Sequence, residues 1–500
     1  MKTNNKSFVF TIILILGFIL LGSAQKLENI FLDQDYWAAK PSIANIEANI
    51  SKGHSIFEAN GGGFDATTYA LFAENPLSTI KYLVEKGNDV NKRTHDSRTY
   101  IFWAASRGNL EAMEYFIQKG AKMNLKDSHG YSVSSFAAAG GQQDPAMFDF
   151  FIANGADLKN EKDHHGANIL LVAISRAKDL KFIDYLVAKG LDINTTNNDG
   201  NGIFHYAAQG GNIALLKELK KRGVNTSKNT ITGENAILFA SRGGRGRSNG
   251  LEVFEYLAGL GLHANITSNN GITPLHNLSQ SSEDLTIYEY FIHKGVNPNT
   301  IDNDGNIALL NAAANNKLEV VKYLSEKTEN INHTNKVGHS ALALAVQHNS
   351  IQVVDYLISK GANTSILDEK GNNLAYYLFG SRGETRDFDA KVTALKNKGF
   401  DFKQLQGDHS SVWHLAVSKN NLGLLKSVST FGANINGKDK DGNTPLHYAA
   451  MKSDNTEILK YLIANGADTK LTTEFGETAY DLATENELLA KNKVNLQFLN

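Results

Sequence analysis

Residues 441–470 read DGNTPLHYAAMKSDNTEILKYLIANGADTK: a polar turn, a short stretch with paired alanines, a second turn, and a longer amphipathic stretch closed by glycine. In TPLHYAA, Ala449 and Ala450 present so little side chain that a neighbouring helix can approach closely. In TEILKYLIANG, apolar residues recur at i, i+3, i+4 and i+7, the spacing of one helix face, and Gly466 suits the left-handed residue with which such helices end. The unit is turn, helix, turn, helix, and it needs copies of itself to bury a core.

Copies run the length of the chain. Gly466 has counterparts at Gly53, Gly87, Gly120, Gly155, Gly190, Gly223, Gly261, Gly295, Gly361, Gly399 and Gly432, with Thr328 in the remaining slot, at intervals of 33 to 38 residues. Five residues before these positions stand Tyr82, Tyr115, Phe150, Tyr185, Tyr256, Tyr290, Tyr323, Tyr356 and Tyr461, a row broken at Glu218, Ala394 and Ser427. A ring at one fixed helical position reads as core packing. The alanine-bearing stretch echoes in TYIFWAA (99–105), GIFHYAA (202–208) and IALLNAA (307–313), and links such as NTIDNDGN (299–306) carry tight-turn chemistry. The predicted fold class is an all-α repeat solenoid of helix-turn-helix units joined by β-hairpin-like loops, about 13 full units plus a terminal partial one.

The pattern resembles the ankyrin repeat. Thr273-Pro274-Leu275-His276, Thr444-Pro445-Leu446-His447 and Gly466-Ala467-Asp468 carry the resemblance, which covers essentially the whole chain from Leu27 to Asn500. Units depart from it at 131–138 (YSVSSFAA, no Thr-Pro) and before Gly399 and Gly432, where paired alanines are scarce. Residues 25–60, with Asp35-Tyr36-Trp37, are expected to form an N-terminal capping repeat, 61–466 the array, and 467–500, with Thr478 to Ala483, a C-terminal capping repeat.

The totals narrow the function. Lys plus Arg number 50 and Asp plus Glu 52, a balance with no general attraction for nucleic acid or anionic membrane. With no cysteine, disulfides, thiolate metal sites and a cysteine nucleophile are excluded. Residues 1–24 read as an export signal: Lys2 and Lys6, an apolar run of 14 residues at 8–21, then Gly22-Ser23-Ala24 before Gln25. The run is shorter than the roughly 20 residues of a membrane span.

Several motifs imitate chemistry. Asp302-Asn303-Asp304-Gly305-Asn306 and Asp439-Lys440-Asp441-Gly442-Asn443 begin like calcium loops, but the second has Thr444 and Ala450 where the glycine and bidentate glutamate would stand. EANGGGFD (58–65) has a triple glycine without the Lys and Ser/Thr of a phosphate loop. His205, His276, His414 and His447 share one slot, and the resemblance implies that they tie helix to hairpin. His95, His129, His164 and His165 stand at three consecutive hairpin tips; an expected tip spacing of about 10 Å argues against compact zinc and leaves a contact sensitive to pH, or plain solvated turns, as readings. SRGGRGRSNG (241–250) is expected to be an enlarged loop between the helices of one unit, placing Arg242, Arg245 and Arg247 on the rim.

The resemblance implies a non-catalytic protein-binding scaffold with its binding face on the concave side. Export places it in the periplasm or outside a bacterial cell. The face is expected at His95, Asp96, Arg98, Ser106 and Arg107; at Asn198, Asp199, Asn201 and Gln209; at Asn269, Asn270 and Ile272; at Asn303, Asp304 and Asn306; and at Lys440, Asp441, Asn443, Met451 and Lys452. The expected partners are one or more proteins, bound by a monomer without cofactor, nucleic acid or, after signal cleavage, membrane. An exported effector or protective inhibitor that blocks an enzyme or toxin is the alternative; an enzyme has only scattered histidines in its favour.

Overall fold

The computed structural model describes residues 29–226, 230–244, 247–380 and 387–500; the segment expected to be an export signal and Arg245 lie outside the described residues. Among these are 28 α-helices and no strand. The chain divides into two compact units, residues 1–164 and 165–500. The described part of the first holds four helix pairs, from Gln34–Ala38 with Ile43–Ser51 to Val133–Gly140 with Pro145–Ala153. The second holds ten, from Ile169–Ile174 with Lys181–Ala188 to the shortened Ala479–Glu485 with Glu487–Lys491. Within each unit, first helices stack on first helices and second on second.

The alternating helix chemistry explains this layering. In Pro445–Lys452 the amide of His447 donates to Thr444 Oγ1, while His447 Nδ1 accepts from the Thr444 amide, so two amides left over by the helix start are satisfied. Ala449 and Ala450 are fully buried against the next layer. In Glu457–Ala464, Ile458, Leu459 and Leu462 turn inward, and each such side chain contributes about 1.5–3 kcal/mol when buried.

Polar ladders hold neighbouring layers in register. Asn316 Nδ2 donates to the carbonyls of Ser279 and Ser282, Asn349 Nδ2 to those of Ala313 and Asn316, and Asn486 Nδ2 to those of Ala450 and Ser453. Each thereby supplies partners to carbonyls near the end of the preceding first helix. On the other side of the layer, Asn299 Nδ2 donates to Lys327 O while its Oδ1 accepts from the Glu329 amide; Asn436 repeats the pair with Gly466 and Asp468.

The aromatic row is only partly core. Tyr115 is buried, but Tyr82, Tyr185, Tyr290, Tyr323 and Tyr356 are half-buried along the second helices. The hydroxyl of Tyr82 donates to Glu47 Oε1 at 3.3 Å and that of Tyr356 shares a 2.8 Å hydrogen bond with Ser325 Oγ, so these rings also bridge neighbouring layers. Lysines four residues further on, such as Lys86, Lys294 and Lys360, place their ammonium groups 5.3 to 5.5 Å from the ring centroids.

Candidate functional site

Each hairpin is shaped by its first side chain. Asp302 Oδ1 accepts from the amides of Asp304 (2.9 Å) and Asn306 (2.7 Å), and Asp439 Oδ1 from those of Asp441 (3.1 Å) and Asn443 (3.0 Å). Asn60 does the same for Gly62 and Phe64 in the triple-glycine stretch. The first carboxylate of each calcium-like loop is thus occupied by its own turn amides. Asp439 Oδ2 in addition accepts from the Tyr448 hydroxyl at 2.7 Å, which links hairpin to first helix. Burial and that carboxylate raise the Tyr448 phenol well above its usual value.

The hairpin tips are joined in turn. The amide of Ser128 donates to Asp96 O, that of His164 to His129 O, that of Asn303 to Asn270 O, that of Lys336 to Asp304 O, and that of Lys440 to Asp408 O, all at 2.8 to 3.1 Å. Neighbouring tips therefore touch, which corrects the expected tip spacing of a full layer. Asp96 makes this visible in side chains: His95 Nε2 stands 3.5 Å and His129 Nε2 3.4 Å from its carboxylate. Burial works to raise the Asp96 carboxyl, but Arg98 and the two imidazoles outweigh it and hold the group below the usual range. Among the described residues, no group of three or more histidine, cysteine or acidic side chains is arranged to hold a metal ion.

Of the residues expected on the binding face, His95, Arg107, Asn198, Asn269, Asn270, Asn303, Asp304, Lys440, Asp441, Met451 and Lys452 are exposed. Asp96, Ser106, Asp199, Gln209, Ile272, Asn306 and Asn443 are half-buried. Two are enclosed. Arg98 is 8% exposed, with its guanidinium paired to Asp127 and Asp96 at 2.7 and 2.8 Å and stacked 4.2 Å from the Phe136 ring. Asn201 is 2% exposed, packed beneath its own turn. The long Arg98 side chain finds acids on two successive hairpins, and that arrangement withdraws it from the surface.

Arg242 also departs from its expected place. Its side chain runs back along Ala236–Arg242, lies 4.4 Å over the Phe239 ring and pairs with Glu234 at the hairpin base, so it belongs to the first-helix face and not to the rim. Burial pushes the Glu234 carboxyl up against the pull of Arg242. Arg247 is exposed in the enlarged loop, where its amide and carbonyl exchange hydrogen bonds with Gly244 at 2.9 Å.

The histidine slot behaves as a structural tie. In His276, His414 and His447, Nδ1 faces the backbone amide of the helix-capping residue, and Nε2 lies 2.9 to 3.1 Å from a carbonyl of the following layer. An Nδ1 that accepts leaves the proton on Nε2, which donates to the carbonyl. Burial lowers all three imidazoles, partly offset by that carbonyl.

Family comparisons agree with this geometry. The description "Ankyrin repeats (3 copies)" matches residues 45–127, 67–162, 204–302, 245–335, 276–368 and 392–496, and "Ankyrin repeats (many copies)" matches 170–219. The chain belongs to the ankyrin-repeat family. Ankyrin repeats in general mediate protein–protein interaction. Curated relatives include the I-Kappa-B like protein G2 of Microplitis demolitor bracovirus, 32% identical over 127 residues, 24% of this chain and 73% of that protein. Protein phosphatase 1 regulatory subunit 12A of Mus musculus is 37% identical over 75 residues, 15% of this chain and 7% of that one. Ankyrin repeat and SOCS box protein 6 of Pongo abelii is 35% identical over 96 residues, 18% and 23%. Apart from the bracovirus protein, this ankyrin chain spans less than a quarter of each of these relatives.

One set of exposed positions in the ankyrin hairpins escapes a reading based on tips. Ile301, Leu367 and Leu405 stand just before the turn-forming residues Asp302, Asp368 and Gln406, and are 55%, 53% and 51% exposed. Their signal in the sequence is an aliphatic side chain repeating at a position where Thr334 and Lys438 occur in other layers.

Proposed function

We propose that this chain is a non-catalytic scaffold, exported from a bacterial cell, that binds one or more proteins on the hairpin tips and first-helix faces of its ankyrin layers. The observation that carries the proposal is the bonding of successive tips through their backbones while side chains such as Asn269, Asn270, Asn303 and Lys440 remain exposed. Such a surface is fixed in geometry yet free in composition, which is what recognition of another protein requires. Its asparagines, acids and lysines suit a polar contact with bridging water, and Ile301, Leu367 and Leu405 supply apolar anchors. Export rests on the composition of residues 1–24.

The test is crosslinking and pull-down of the chain from an exported fraction, with the mass of its N-terminus measured. A protein captured by the native chain and lost when Asn269, Asn270, Asn303 and Asp304 are all changed to alanine is the expected result, together with a mature chain starting at Gln25. Capture that survives the four changes counts against this face, and a chain that captures nothing counts against the scaffold.

An inhibitory role is a second reading, supported by the name of one relative, a protein phosphatase 1 regulatory subunit. Here the captured protein is an enzyme or toxin, and its activity falls in proportion to the bound fraction. A partner that keeps full activity at saturation rejects this reading and leaves the scaffold standing.

A further inference from the structure

On the first-helix face within residues 29–164, two phenylalanines stand where several other layers carry small or polar groups. Phe72 occupies the helix position held elsewhere by Ser106, Gln209 and Ser418, and Phe64 the position before the helix cap held elsewhere by Asn201, Asn306 and Asn443. Phe64, Phe72 and Trp103 form a triangle with centroid separations of 5.4, 5.8 and 5.1 Å, extended by Phe136 at 5.6 Å from Trp103. Phe64, Phe72 and Phe136 are half-buried, so the cluster keeps apolar area in water that the core does not use.

Two polar groups bound the cluster. His95, exposed, lies 5.0 Å from Phe64 at the hairpin end. Arg107, also exposed, lies 5.6 Å from the Phe72 centroid at the other end, and among the described residues no carboxylate stands within ion-pair distance of it. The difference from Arg98 is instructive, because Arg98 already holds Asp96 and Asp127. Arg107 is a guanidinium held against a ring with its charge unspent.

We infer that this surface docks an extended acidic segment of a partner protein, one aromatic side chain packing on Phe64 and Phe72 above the buried Trp103 while an adjacent carboxylate pairs with Arg107. The inference rests on the scaffold reading and names the partner chemistry at one part of it. A further apolar side chain about three residues along an extended segment, which advances about 10 Å, reaches Phe136 in the next layer. A basic segment is disfavoured, because Arg107 repels it.

The test uses the full chain and a fluorescein-labelled peptide of about ten residues carrying two phenylalanines spaced among glutamates, read by anisotropy. Control peptides replace both phenylalanines by serine, or all glutamates by lysine. The acidic aromatic peptide is expected to bind about tenfold more tightly than either control, with Phe72→Ser and Arg107→Gln each removing most of that margin. Thermal melts of both variants check the fold; if Phe72→Ser unfolds, Arg107→Gln decides. Equal binding of the three peptides, preference for the lysine peptide, or native affinity in Arg107→Gln overturns the inference. A chain that captures a protein through the tips of residues 269–304 but ignores the peptide loses this inference and keeps the scaffold reading. One that binds the peptide but captures no protein does the reverse.

Discussion

A histidine in the Thr-Pro-Leu-His slot is an acceptor toward its own helix cap and a donor toward the next hairpin, and it can be both only when neutral. Protonation puts a hydrogen on Nδ1, facing the amide of Thr273, Ser411 or Thr444, and costs that cap. Since burial lowers the folded pKa of His276, His414 and His447, the unfolded chain binds protons that the folded chain refuses. Their contribution is fully present above the ordinary imidazole pKa of about 6.5 and is lost as pH falls through the depressed folded values. Urea midpoints measured from pH 7.5 to pH 5 should therefore fall, and the fall should shrink when all three are replaced by glutamine. At neutral pH, His414→Ala should cost about 1–3 kcal/mol, because the Asn443 carbonyl loses its donor within the array. The neighbouring Trp413, 4% exposed and donating to Ala433 O, reports this as a local shift of its fluorescence transition. The histidine ties were legible through the resemblance because slot and role travel together. The fates of Arg98 and Arg242 were not, because a long side chain can reach acids on either side and spacing along the chain does not say which.

At the scale of elements, two kinds of glycine look alike in sequence and differ in what they do. Gly466 ends a helix at φ +95° with open space around the site of a Cβ, whereas Gly305 turns a hairpin tip at φ +86° with Lys336 N only 2.6 Å from that site. Gly466→Ala should cost about 1–2 kcal/mol of left-handed backbone. Gly305→Ala bears a similar strain and also pushes the next tip away, breaking the Lys336 amide bond to Asp304 O. It should therefore lose more, by about 1 kcal/mol or above, and the difference is measurable as the gap between the two urea midpoints. Faster amide exchange at Lys336 in the Gly305 variant alone locates the cause. Helices and period were legible because 3.6-residue spacing and helix-ending glycines are written locally. The tip ladder was not, since it depends on hairpins leaning together, a relation between residues one repeat apart. Residues 243–244 and 247–250 lie between two helices where the enlarged loop is expected, but the pairing of Gly244 with Arg247 has no spacing rule behind it.

At the scale of the whole molecule, stability within each unit of stacked repeats is a chain of neighbour interactions, so damage at an end should stay near it. The N-terminal layer is closed by Trp37, fully buried, whose Nε1 donates to Phe31 O at 2.9 Å and whose carbonyl accepts from Asn75 at 3.0 Å. The sequence marks this layer as a cap through Asp35-Tyr36-Trp37, yet its repeat period runs without a break across residues 164 and 165, where contacts divide the fold into two units. That division follows contacts made through the fold, which a period along the sequence does not record. Trp37→Ala removes the largest side chain of the first layer and should cost about 3–5 kcal/mol there. Amides in Ala66–Phe72, one layer inward, should exchange faster by hydrogen–deuterium exchange, while those in Pro445–Lys452 and the Trp413 fluorescence midpoint stay at their native values. A Trp413 midpoint that moves with the N-terminal layers would mean that the chain unfolds as one cooperative body, in which case a partner gripping either unit would stabilise both.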